Sequence, residues 1–187
     1  MIKAWHFVGP TLRNGHPVPP DGVWLEYDGP LPIIMCERGL HASVDPFDAL
    51  QYAPGNTLCR VTLDGDILAD TDKHVATRRL IHTRRDMKST LRAFSRRCAL
   101  DVIHLWDAPL IVKEYLETGD ESKQYPAGAA AWYAAWYAAW AAAGAAARAA
   151  ARAAAWYAAR AAAGAAAWEK YRGWFHEIVA REFSGVE

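Results

Sequence analysis

Cysteine is scarce in this chain. Cys36, Cys59 and Cys98 are an odd set with no CxxC pair. They indicate neither a disulfide framework nor a structural zinc site, and no metal is expected. They read instead as three reduced, partly buried thiols. Excess charge is also missing: 21 basic residues face 21 acidic ones, so the molecule as a whole is not built to bind a polyanion. The opening MIKAWHFVGP lacks an apolar run of signal-peptide length, which leads us to expect a cytoplasmic protein. Finally, Asn, Asp, Ser, Thr and Pro are all absent between Gly128 and Trp168, which removes the usual turn formers from that stretch.

What fills the stretch is alanine, 28 of the 42 residues from Ala127 to Trp168. Alanine is the best helix former, so a helical tail is expected over 126–187, overwhelmingly helical from 127 to 183. Trp132, Trp136, Trp140 and Trp156, with Arg148, Arg152 and Arg160, fall on one four-residue register that Gly128, Gly144 and Gly164 share. A helix turns about 100° per residue, so each step drifts about 40°. Gly128 to Trp140 therefore sweeps about 120°, one packed face that holds Trp132, Trp136 and Trp140, and we expect that face to be buried. A glycine costs only about 1 kcal/mol against alanine, so one continuous helix is favoured over a hairpin broken at Gly144 and Gly164.

The 24 residues from Gln124 to Ala147 carry no formal charge and are long enough to span a bilayer. Alanine is only weakly apolar, however, and Trp and Tyr prefer interfaces, so no membrane span is expected. Arg148 and Arg152 could meet phosphates, but no base-reading side chain accompanies them, and sequence-specific nucleic-acid binding is not expected. The tail reads as a packing element for a protein partner or for self-association.

The head, 1–82, reads as α+β: a small irregular mixed sheet with helices. Strands are expected at Lys3–Val8, Val23–Tyr27, Ile33–Cys36, Gly39–Ser43, Leu58–Leu63 and Val75–His82, with Asp64-Gly65 turning the fifth into Ile67-Leu68. Pro10, Pro17, Pro19, Pro20, Pro30 and Pro32 mark long loops. Asp45-Pro46 starts a helix to Tyr52, with Asp45 as N-cap and Pro46 at the first helical position. Connecting helices are expected over 83–125, from Met87 to Trp106 and from Pro109 to Leu116.

Two features of the head could carry chemistry. The run Lys73 to Arg97 is strongly basic; it reads either as a phosphate-facing strip or as a solvated face paired with the acidic loops 64–72 and 114–121. His6, His41 and Tyr52 lie on or beside the strand–helix unit, and histidine is the usual proton-transfer group near neutral pH.

Lys3-Ala-Trp-His-Phe, Cys36-Glu-Arg-Gly-Leu-His-Ala-Ser43 and Pro46-Phe-Asp-Ala-Leu-Gln-Tyr-Ala-Pro-Gly55 together resemble a family of uncharacterised bacteriophage and prophage domains, over residues 1–82. That resemblance implies an accessory protein of a phage acting inside a bacterial host cell, without an established activity. Gly39-Leu-His-Ala-Ser43 followed by Tyr52 also resembles the second conserved block of ADP-ribosyltransferases. There Tyr52 would stack on nicotinamide and His6 would bind a ribose, which implies NAD or a related nucleotide; Phe7 stands where that family has glycine. Cys98-Ala-Leu-Asp-Val-Ile103 is similar to a motif of bacterial immunity-type helical domains.

The reading that leads is a protein without enzymatic activity or cofactor. It works by protein–protein interaction, against a host defence or other host process, through Trp132, Trp136, Trp140, Trp156, Arg148 and Arg152. The alternative is a transferase-like enzyme or nucleotide binder that uses His6, His41 and Tyr52.

Overall fold

A computed structural model describes residues 1–105, 107–134 and 153–185, with side chains of the last segment described from residue 164. It divides into two compact units, Met1–Thr90 with Arg172–Glu187, and Leu91–Tyr171.

The first unit is built on a long hairpin. β4 (Thr57–Ala69) and β5 (His74–Asp86) pair antiparallel from Thr57↔Asp86 to Ala69↔His74. β1 (Ile2–Val8) lies on β4, with His6 opposite Cys59. β2 (Trp24–Glu26) and β3 (Leu40–Ala42) pair with successive parts of β5. The strand order is β1-β4-β5-β2 with β3 also on β5, and every pairing is antiparallel. The α+β class therefore holds, while the sheet expected to be mixed is antiparallel.

Two local expectations are corrected. Asp64-Gly65 does not turn the chain; β4 runs through it on a bulge between Asp64 and Ile67, with Gly65 at φ +76°. An αL glycine at a bulge lets a strand bend without ending. Ile33–Cys36 is not a strand but a tight turn, bridged only at Ile34↔Arg38 and carrying Cys36 at φ +65°.

One core cluster joins Ala4 and Val8 of β1, Cys59, Val61 and Leu63 of β4, Ala76 and Ile81 of β5, and Ala42 of β3. Arg84 fastens the proline-rich loop by donating to Asp21 at 2.7 Å and to the Pro19 carbonyl at 2.7 Å.

α1 (Pro46–Leu50) begins as the sequence dictates, the Asp45 carboxylate accepting from Phe47 N–H at 2.7 Å. α2 (Lys88–Asp101) is shorter than expected and gives way to a 3-10 turn at Ile103–Leu105; Trp106 lies outside the described residues. α3 (Leu110–Thr118) closes on Gly119 in the left-handed conformation. A further helix, α4, covers 124–134, and α5 runs Ala153–Glu182, so the described parts of the tail are helical.

The last turns of α5 belong to the first unit. Phe175, Ile178, Val179 and Phe183 recur at three and four and are buried. Phe175 meets Phe47 with ring centroids 5.9 Å apart, and Phe183 meets Trp5 edge-on at 5.0 Å. Thr90 donates to Glu182 at 3.1 Å.

In the second unit, Phe94, Ala108, Val112 and Ala127 are buried. Lys170 pairs with Asp101, and Tyr171 donates to the same carboxylate at 3.2 Å. Lys123 pairs with Glu114 at 2.8 Å, and Arg92 with Glu121. No helix among the described residues is long and apolar enough to cross a membrane.

Candidate functional site

β1 delivers His6 and β3 delivers His41, and the hairpin loop between β4 and β5 places Lys73 and Asp72 beside Tyr52. The Tyr52 hydroxyl donates to Asp72 in a short hydrogen bond and accepts from Lys73 Nζ at 2.9 Å. Lys73 also lies over the Tyr52 ring, 4.4 Å from its centroid. His41 Nε2 accepts from Cys36 N–H at 3.1 Å, a geometry made by the left-handed turn at Cys36. His41 thus stands within electrostatic reach of His6 and of Lys73, which in turn holds Tyr52.

Arg79 of β5 completes the group. It is 3% exposed, and its Nη1 donates to the His41 carbonyl at 2.9 Å. Burial first, then Arg79 and His41, hold His6 well below the usual imidazole range. Burial likewise lowers His41, with Lys73, Arg13 and Arg79 adding to the effect against a bond with Gly39. Both rings are therefore neutral at neutral pH and could accept a proton. Hydrogen bonding to Tyr52 raises Lys73 above the ordinary amine range, and Asp72 is lowered by the same hydroxyl, so this pair stays charged.

Residues 2–93 match one family model, described as a domain of unknown function (DUF7666). The match covers the sheet and the first turns of α2, hence every residue of this group. No curated protein and no solved structure matches the chain.

The basic run takes the paired reading at Lys73, Arg78, Arg84 and Arg92. Arg78 donates to Glu26 at 2.7 Å and to Asp64 at 3.1 Å, and Arg84 and Arg92 have the carboxylates named above. Arg79 differs, and sequence reasoning missed it. The available signal was parity: it takes the inward side of β5 with Ile81 two residues on, while Arg78 and Arg84 face acids.

Among the tail candidates, Trp132 is 63% exposed and meets the 59% exposed Tyr133 edge-on at 5.2 Å. The described residues do not cover it, and those around it on α4 are mainly alanines, too short to reach over the ring. Trp136, Trp140, Arg148 and Arg152 lie outside the described residues, as does the side chain of Trp156. Among the described residues no group of three His, Cys, Asp or Glu is placed to hold a metal ion.

Proposed function

We propose that this chain is a phage-type accessory protein acting in the cytoplasm of a bacterial host by protein–protein interaction, its tail joining it to a second copy of itself. The observation that carries this reading is an exposed aromatic stripe on α4. Tyr125 is 87% exposed and Trp132 63%, seven residues apart and so on one helix face. A large aromatic buries about 150–250 Å², worth about 4–6 kcal/mol at about 25 cal/mol per Å² when fully covered. A second copy is the fitting occupant because the tail supplies both halves of such a contact. The sequence repeats tryptophan every four residues at 132, 136 and 140 with alanines between, so a helix of this pattern would offer a second copy both large rings and small residues. The phage character rests on the head motifs around Cys36–Ser43 and Pro46–Gly55.

Light scattering on the full chain tests the reading. The wild type should be oligomeric. Replacing Trp132, Trp136 and Trp140 together by Ala should reduce it to monomer while circular dichroism keeps its helical signal. A monomeric wild type at high micromolar concentration sinks the self-association.

The link from His6 through His41 and Lys73 to Tyr52 favours a second reading, an ADP-ribosyltransferase-like enzyme or nucleotide-binding protein. NAD or a related nucleotide would stack on Tyr52 from the ring face opposite Lys73. A ligand that binds only the native state raises its melting temperature, so NAD should stabilise the chain and Tyr52→Ala should abolish the effect. No shift with NAD removes this reading.

A further inference from the structure

Arg79 is buried without an anion. Among the described residues its Nε has no hydrogen-bond partner, and its Nη1 donates to a carbonyl, which carries no net charge. Among the described residues, the acidic group that bears on it most is the Cys59 thiol, which burial pushes up to about 11 and so keeps protonated. Among the described residues no carboxylate pairs with Arg79. His6 and His41 stand beside it, and the charges of Lys73 and Arg13 also reach His41. An unpaired guanidinium in a dry environment is costly, and a fold that keeps one is normally completed by a counter-charge.

We propose that Arg79, His6 and His41 form a binding site for a phosphoryl group. Arg79 offers the free Nε–H, and the neutral His6 ring can present one N–H or take up a proton as the anion enters; His41, whose Nε2 already accepts from Cys36 N–H, adds a donor only by giving up that bond and taking up a proton. A phosphoryl group suits the site better than a carboxylate, because its second negative charge can be matched when an imidazole beside Arg79 takes up a proton, and its three oxygens can use donors from different directions. His41 is partly exposed, so the site meets solvent on the β3 side. The proposal is independent of the tail. It sharpens the nucleotide reading without resting on it, since free phosphate and a nucleotide phosphate offer the same group.

The test uses the full ¹⁵N-labelled chain. The Arg79 Nε–Hε resonance is assigned by its loss in Arg79→Met, and inorganic phosphate, ADP and sodium chloride are titrated at matched ionic strength. The Arg79 signal should move saturably with phosphate or ADP, the melting temperature should rise, and chloride should do neither. In Arg79→Met the thermal shift should fall by more than half. A shift with ADP alone assigns the phosphoryl group to a nucleotide; a shift with both, or with phosphate alone, assigns it to free phosphate chemistry. An Arg79 resonance unmoved by either ligand overturns the site, as does a full thermal shift retained in Arg79→Met. If Arg79→Met does not fold, Arg79→Lys gives the assignment and the wild-type titration decides.

Discussion

Arg172 donates from Nη1 to Asp45 at 2.6 Å, across 127 residues of chain. Its Nη2 donates to Asp48 at 3.1 Å, and His176 Nε2 lies 2.7 Å from the Asp45 oxygen that caps α1. One carboxylate therefore starts a helix and holds the end of the chain to the head. Asp45→Ala removes both functions and should cost about 2 kcal/mol, roughly 1 for the cap and the rest for partly exposed ion pairs. Asp45→Asn keeps a capping oxygen and should cost about half as much. Urea unfolding of the two variants checks this; equal losses would mean the cap contributes nothing.

The same clamp sets an acid limit. Burial alone would raise Asp45, but bonds from His176 and Phe47 N–H with the charge of Arg172 outweigh it and hold the carboxyl below its ordinary value. A carboxyl lowered on folding contributes stability that is present above its unfolded value and lost as pH falls through the folded one, so the loss begins below about pH 4. Asp48 has the opposite sign: burial raises it against the pull of Arg172, with Asp45 and Asp72 adding to the rise. Its ionisation therefore opposes folding. In a pH series of melting temperatures, Asp45→Asn should flatten the acid loss and Asp48→Asn should not.

The strands with alternating apolar residues, β1 and β4, and the Asp45-capped helix were legible because their signals are local: side-chain parity, a cap and a proline at the first turn. The bulge at Gly65 was misread because Asp-Gly is also a hairpin signal, and only the partner strand distinguishes the two. The role of Arg172 and His176 had no local signal at all. Their partners are more than a hundred residues away, and the alanine-rich stretch before them masks a return to the head. Arg79 was hidden among eight other basic residues, and its buried position follows from pairing with β4, not from composition.

Gly65 gives a sharp check on the bulge. Its φ is +76°, and a Cβ there would stand 2.1 Å from Thr77 Oγ1, which accepts from Asp66 N–H at 3.0 Å. Gly65→Ala should therefore destabilise the chain by about 1–3 kcal/mol, combining backbone strain with a displaced hydrogen bond. Thermal melts should show the loss. An unchanged midpoint would mean that Asp64-Gly65 is not held in this bulge.

The imidazoles of His6 and His41 provide the last check, because their titration reads the field of Arg79 directly. Both are lowered on folding, His6 by burial first and then by Arg79 and His41, and His41 by burial and then by surrounding cations including Arg79. Each is therefore neutral in the folded chain, while the unfolded chain takes up protons below about pH 6.5. The sign follows: the unfolded state binds more protons there, so stability falls as pH drops from about 6.5. Two-dimensional NMR of the ring nitrogens should place both titrations below that of a free imidazole. In Arg79→Met both should move upward but stay below it, since burial persists when the charge is gone. The downturn in stability should begin at the same pH and become shallower. Imidazoles that titrate above about 6.5, or that ignore the loss of Arg79, would show that the guanidinium does not face them.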